Sequence, residues 1–184
     1  MGSRFITFAA LFYGSLAVAA ALWASLRGFE LRLTGDHMAL SVVLGALTPV
    51  VTVSLGLLAY RLLPVLREVA EELAPRLVDG ASRGGLLLIS VFSGVGEEAF
   101  FRGAVQQEFG LVVASVVFGA VHVGPDRRYL WWTAWAVLAG FLFGALYDVT
   151  GGLLAPILAH ASHNAATLLL WRRSRKDAWE RDPR

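Results

Sequence analysis

The sequence predicts an all-α, polytopic membrane helix bundle with about six transmembrane helices and one interfacial amphipathic helix. Of its 184 residues, 57% are hydrophobic and only 16% are charged, whereas about a quarter of the residues of a soluble domain are charged. The apolar residues also fall into successive stretches, most of them long enough to cross the hydrocarbon core of a bilayer. We therefore expect a single integral membrane domain, residues 1–184, whose main partner is the lipid bilayer.

Six apolar stretches are the expected spans, and short hinges that contain glycine separate most of them. The first is too long for the apolar region of a signal peptide, so we interpret it as a span. The spans are Phe5 to Leu26, Met38 to Leu62, Leu86 to Gln107, Leu111 to Val123, Leu130 to Tyr147, and Leu153 to Trp171. They divide the chain into two N-terminal spans (5–62), an amphipathic segment (63–83), a four-span core (84–171) and a basic tail (172–184).

The distribution of basic residues predicts the topology. With a cytoplasmic N-terminus, thirteen Lys and Arg residues fall on the cytoplasmic side, and only Arg27 and Arg32 fall on the other side. This asymmetry follows the positive-inside rule and would be lost if the count of spans were wrong by one. We expect both termini to be cytoplasmic, and the basic tail could contact anionic lipid or simply anchor the topology.

The segment between the second and third spans has the pattern of an amphipathic helix. Leu66, Val69, Leu73 and Leu77 recur at steps of three and four residues, with charged residues between them. Such a helix can lie in the plane of the membrane interface. A cytosolic helix that packs on the rest of the protein fits the same pattern, and the sequence leaves both alternatives open.

Composition excludes several classes of function. With a net charge of only +2, the chain as a whole lacks the strongly basic charge that is typical of nucleic-acid-binding proteins. The chain has no Cys, which excludes disulfides, thiolate metal sites and Cys nucleophiles. It also has no His-Glu-x-x-His stretch and no Gly-x-Ser-x-Gly elbow. The sequence leaves the oligomeric state open.

Ionisable residues within the expected spans indicate a functional site, because such residues are costly in a membrane. They are Glu97, Glu98, Arg102, His122, His160 and His163, and Asn164 accompanies them. Glu98 and Arg102 are four residues apart, so they can pair on one helix face, either as a structural pair or as part of a site. His163 is interpreted as an interhelical hydrogen-bond donor, a role also open to Asn164.

The depth of these residues in the membrane is similar. Counted from a turn at Gly110 at about 1.5 Å per residue, Glu97 lies about 20 Å and His122 about 18 Å below that turn. Counted from Gly151, His160 lies about 14 Å and Asn164 about 20 Å down. Three helices thus bring polar groups to one level in the cytoplasmic half of the membrane.

A carboxylate and an imidazole at one level can activate water, and a His–Asn pair can donate hydrogen bonds to the oxyanion of a tetrahedral intermediate. The pattern therefore predicts amide hydrolysis without a covalent intermediate, metal or cofactor. Two Glu and two or three His could also hold a metal, and residue types alone leave that alternative open.

Three motifs carry a resemblance to a known family. Glu97-Glu98-Ala99-Phe100-Phe101-Arg102-Gly103 resembles the EExxxR motif of the CAAX-protease and bacteriocin-processing family. Phe118 to His122 resembles its FxxxH motif, and His160 to Asn164 resembles its HxxxN motif. The resemblance covers roughly Leu86 to Leu170, and the first two spans carry none of it.

The resemblance implies a glutamate-dependent intramembrane endopeptidase that acts on a peptide or a lipidated protein near the cytosolic face. Glu97 and His122 would activate water, His160 and Asn164 would form the oxyanion hole, and Glu98 and Arg102 would support the site. The short chain suggests a prokaryotic member of the family, for which a prenylated substrate is not assured. Two alternatives remain: a non-proteolytic scaffold or bacteriocin-immunity protein, and a proton- or ion-coupled transporter, against which the single polar level argues.

Overall fold

The computed structural model describes the backbone of residues 3–181 and the side chains of residues 4–175. Its helices are α1 (Ser3–Arg27), α2 (Met38–Leu62), α3 (Pro64–Val78), α4 (Arg83–Phe100), α5 (Gln107–Ala120), α6 (Tyr129–Thr150) and α7 (Leu154–Arg181), and a π-helical segment (Phe101–Gln106) joins α4 to α5. Residues 182–184 of the predicted basic tail lie outside the described residues.

The predicted all-α membrane bundle is confirmed. Four helical stretches are long and apolar enough to cross a membrane, namely Arg4–Arg27, Met38–Leu62, Arg83–Ala120 and Tyr129–Thr150. The third of these contains two of the predicted spans. The predicted last span forms most of α7. His160, His163 and Asn164 make this helix more polar than the four stretches named above. The count of six spans therefore stays a prediction.

The long stretch from Arg83 to Ala120 reverses direction at Gly110, where the sequence analysis placed a turn. Gly110 has φ of 82° and ψ of 169°, a conformation that only glycine adopts readily. The rings of Phe101 and Phe118 lie 5.0 Å apart, whereas seventeen residues of straight helix would separate them by about 25 Å. The two arms therefore form a helical hairpin, and α5 packs back against the π-helical segment.

Two glycines set the spacing of the helices that pack against α4. A Cβ atom on Gly94 would lie 3.1 Å or less from backbone and side-chain atoms of Ala161 in α7. A Cβ atom on Gly96 would lie 2.4 Å from the carbonyl oxygen of Tyr13 in α1. Small residues allow membrane helices to approach this closely. As a result, α4 is held between α1 and α7 directly before Glu97 and Glu98.

Helix α3 packs on the protein through part of its predicted apolar face. Of the four predicted residues, Val69 is buried, Leu66 and Leu73 are partly buried, and Leu77 remains 39% exposed. The helix contacts α2, α6 and α7. It begins with Pro64, a residue favoured in the first turn of a helix. Its location in the membrane interface stays a prediction.

The connections between helices meet at two opposite ends of the bundle. At one end, the Leu153 N–H donates to the Arg32 carbonyl (2.9 Å) and Arg27 pairs with Glu108. At the other end, the Arg172 Nε–H donates to the Ala81 carbonyl (3.1 Å). This arrangement agrees with helices that alternate in direction.

Candidate active site

Glu97, near the end of α4, and His122, two residues after the end of α5, face each other. Glu97 Oε2 lies 3.9 Å from His122 Nε2, and the two side chains are 12% and 27% exposed. Glu97 Oε2 has no hydrogen-bond partner among the described residues. The hairpin at Gly110 produces this proximity, because it returns α5 along the arm that carries Glu97.

The hydrogen bond of His122 Nδ1 determines which ring nitrogen carries the proton. Nδ1 lies 2.7 Å from the carbonyl oxygen of Phe118. Since a carbonyl can only accept, Nδ1 must donate, and in the neutral ring Nε2 is then an acceptor. The Thr133 hydroxyl donates to the His122 carbonyl (3.4 Å), which connects this residue to α6. His122 therefore presents a lone pair to Glu97.

Glu98 belongs to a separate, fully buried charge cluster with Arg102 and His160. Glu98 and Arg102 are both 0% exposed, and Arg102 Nε lies 3.1 Å from Glu98 Oε2. Arg102 Nε and Glu98 Oε2 therefore form an ion pair. They do not form a hydrogen bond, because neither atom has a hydrogen-bond partner among the described residues. Arg102 also donates to the Gly140 carbonyl in α6 (2.8 Å). The predicted Glu98–Arg102 pair is thus present.

His160 contacts the second of the two glutamates. Its Nδ1 lies 2.7 Å from Glu98 Oε1. Beside ionised Arg102 the Glu98 carboxylate is an acceptor, so Nδ1 donates to it. The His160 ring stacks on Phe143, with centroids 5.1 Å apart. The cluster therefore links α4, α6 and α7.

Phe118 separates and supports the two groups of polar residues. Its ring centroid lies 4.8 Å from that of His122 and 5.9 Å from that of His160. The Arg102 guanidinium carbon lies 4.7 Å from the same centroid, within the range of a cation–π contact. This explains why an aromatic residue four positions before His122 suits the site.

Asn164 and His163 bind different neighbours. Asn164 Nδ2 donates to the hydroxyl oxygen of Ser93 (3.0 Å). His163 Nδ1 lies 2.9 Å from Thr52 Oγ1 in α2, which agrees with the interhelical role expected for this residue. Neither Ser93 nor Thr52 was predicted as a partner. Ser93 lies one turn before Glu97 on the same face of α4, and that spacing was the available signal.

A cavity of about 170 Å³ lies beside these residues. Its polar lining consists of Thr52, His122, His160, His163 and Asn164. Its apolar lining consists of Leu55, Phe118, Trp132, Trp135, Ala136, Leu138, Ala139, Leu142 and Phe143. Glu97 does not line the cavity itself, but it lies within electrostatic range of both His122 and His160. The cavity thus combines one polar side with a large apolar wall.

Among the residues that the structure describes, no group of three or more His, Cys, Asp or Glu side chains is arranged to hold a metal ion. The structure brings together all four predicted site residues in two adjacent groups. Glu97 lies with His122, and His160 and Asn164 lie along the contact between α7 and α4. Their catalytic roles stay predictions.

Comparison with known proteins adds an independent finding. Residues 81–166 match the family described as type II CAAX prenyl endopeptidase Rce1-like. The chain is also 37% identical over 75 residues to YpbD, an uncharacterized protein of Bacillus subtilis, and the match covers 41% of this chain and 39% of that protein. No solved structure matches the chain. Every predicted site residue lies within residues 81–166, the segment that resembles this family.

Proposed function

We propose that the protein is an intramembrane, glutamate-dependent endopeptidase that cleaves peptide bonds near the cytosolic face of the membrane. The observation that carries this proposal is the 3.9 Å separation of Glu97 Oε2 from His122 Nε2. The carboxylate oxygen is an acceptor, and in the neutral His122 ring Nε2 is also an acceptor, because Nδ1 donates to Phe118. One water molecule can satisfy both atoms by donating a proton to each.

In the proposed reaction, Glu97 acts as the general base. It removes a proton from the water while the water oxygen bonds to the carbonyl carbon of the substrate, and His122 orients the water through its second proton. The carbonyl oxygen becomes an oxyanion. The protonated Glu97 then gives its proton to the amide nitrogen as the carbon–nitrogen bond breaks, which releases an amine and a carboxylic acid and requires no metal or cofactor.

Asn164 and His160 are the proposed donors to the oxyanion. Asn164 uses one N–H for Ser93 and retains a second for the substrate. His160 already uses Nδ1 for Glu98, so Nε2 can donate only when the ring is doubly protonated. The Glu98 carboxylate accepts from Nδ1 and so orients the ring, and this gives the buried pair with Arg102 a role in the proposed mechanism.

The apolar wall of the cavity supports a substrate with an apolar segment beside the cleaved bond. Trp132, Trp135 and Leu142 line this wall. A peptide or a lipidated protein held at the membrane surface meets that requirement, and a prenylated C-terminal segment is the candidate that the family description suggests. We also propose a prokaryotic membrane as the location, with both termini in the cytoplasm.

The test is cleavage of two quenched fluorescent peptides by the purified protein in lipid nanodiscs. One peptide carries a farnesylated cysteine near its C-terminus, and the other has the same sequence without the lipid. We expect cleavage by the wild type and a loss of roughly 10²-fold or more in kcat for Glu97→Gln. Glu108→Gln is the control, because Glu108 pairs with Arg27 at the other end of the bundle. Equal turnover by wild type and Glu97→Gln contradicts the proposal.

A non-proteolytic scaffold is the second candidate function. The observation that favours it is the buried cluster of Glu98, Arg102 and His160, which connects three helices whether or not catalysis occurs. Glu97 is outside this cluster. A scaffold should therefore retain its biological effect in Glu97→Gln, whereas a protease should lose it.

A further inference from the structure

The Ser93 hydroxyl lies on α4 at the contact with α7. Its side chain is buried, with 4% exposure, and its oxygen is 3.0 Å from Asn164 Nδ2. The neighbouring residue Gly94 allows the backbone of Ala161 to approach α4 closely. The distance between Ser93 and Asn164 is therefore set by a close contact between α4 and α7.

The second hydrogen bond of Ser93 determines the direction of the first. Its hydroxyl donates to the carbonyl oxygen of Ser90 (3.1 Å). A hydroxyl has one proton, so Ser93 can only accept from Asn164. The Asn164 amide must then present its nitrogen, and not its oxygen, to Ser93.

We propose that Ser93 is a positioning residue that fixes the orientation of the Asn164 amide for oxyanion binding. With Nδ2 held by Ser93, the second N–H of the same nitrogen is available on the side of the cavity that Asn164 lines. The reversed amide would place Oδ1 against the Ser93 lone pairs, and it could present an acceptor to the oxyanion. This inference rests on the proposed function, since it assigns Ser93 a role through Asn164.

The position of Ser93 in the sequence strengthens the inference. Ser93 and Glu97 are four residues apart on α4 and therefore share a helix face. The same turn of α4 thus carries Glu97, the proposed general base, and the Ser93 hydroxyl, which binds Asn164, the proposed oxyanion donor. A purely structural serine would need only its intrahelical bond to Ser90, as many serines in membrane helices do.

The experiment measures kcat and KM of Ser93→Ala with the farnesylated quenched peptide in nanodiscs. We expect kcat to fall roughly three- to tenfold with KM unchanged, the effect of one lost hydrogen bond on the transition state. Ser93→Thr should restore kcat, because a threonine hydroxyl can make the same bond to the preceding turn. The matched control is Ser115→Ala, which removes a buried hydroxyl that donates to the Leu111 carbonyl within its own helix.

A second measurement separates an effect through Asn164 from a general loss of packing. In the Asn164→Ala background, Ser93→Ala should cause no further loss of kcat, because the group that it positions is already absent. A multiplicative loss in the double variant, or unchanged kcat in Ser93→Ala, overturns the inference.

These outcomes are distinct from failure of the proposed function. If Glu97→Gln is as active as the wild type, or if the wild type cleaves neither peptide, the proposed function fails and the role of Ser93 fails with it. If Glu97→Gln is inactive while Ser93→Ala matches the wild type, only the role of Ser93 is contradicted.

Discussion

His160 donates its Nδ1 proton to Glu98 across 2.7 Å, so the second of the two adjacent glutamates, and not the first, binds the last helix. Glu97 is left to face His122. Two neighbouring carboxylates therefore have different surroundings. One is enclosed in a charge cluster, and the other has a buried oxygen without a hydrogen-bond partner among the described residues.

The cluster predicts a large effect of Arg102→Ala on stability. Removing Arg102 leaves Glu98 buried without its cation, and breaking a buried ion pair in this way costs about 3–5 kcal/mol. Unfolding in mixed detergent micelles, followed by tryptophan fluorescence, measures the free energy. The control is Arg76→Ala, which breaks the ion pair of Arg76 with Glu72 at the same four-residue spacing. The Arg76 and Glu72 side chains are 65% and 30% exposed. Exposed pairs contribute about 0–1 kcal/mol, so equal losses in the two variants would contradict this interpretation.

Substitution by alanine should lower kcat strongly at His122 and only weakly at His163. His122→Ala should lower kcat by roughly 10²-fold or more, because Nε2 faces Glu97 across the proposed water position. His163→Ala should change kcat only by a few-fold, because its Nδ1 binds Thr52. Initial rates with the farnesylated peptide compare the two variants. A larger loss for His163→Ala than for His122→Ala would indicate that His163, and not His122, is the imidazole that acts with Glu97.

The close contact at Gly94 predicts that a single methyl group disturbs the site. In Gly94→Ala the new Cβ would lie 2.9 Å from the Ala161 side chain, so α4 and α7 must separate. We expect a loss of about 1–3 kcal/mol in stability and reduced cleavage, since the bonds from Ser93 and Glu98 both cross this contact. Gly84→Ala is the control, because a Cβ there meets nothing within 4 Å. Full activity in Gly94→Ala would show that the two helices tolerate separation.

The absence of cysteine from the sequence makes the topology directly testable. With both termini cytoplasmic, Asp36→Cys should react with an impermeant maleimide in intact cells. Arg127→Cys should react only after the membrane is permeabilised. Both positions are exposed. The opposite pattern of labelling would invert the proposed orientation.

The sequence predicted that Glu97 and His122 lie close together, because residue counts along a helix translate into distance along its axis. The estimate from Gly110 put the two residues about 2 Å apart along the helices, and in the structure Glu97 Oε2 lies 3.9 Å from His122 Nε2. The depth of the site in the membrane stays a prediction. The sequence did not predict that His160 binds Glu98 or that Asn164 binds Ser93. Those contacts depend on the rotation of α7 against α4, which the packing at Gly94 and Ala161 sets. The spacing within one helix does not contain that information.

The reversal at Gly110 also limits how the chain can change in length. Glu97 precedes this glycine by thirteen residues and His122 follows it by twelve. One inserted residue in either arm would shift its side chain by about 1.5 Å and rotate it by roughly 100°, so the imidazole and the carboxylate would no longer face each other. Insertions and deletions should therefore be absent between these two residues in active relatives.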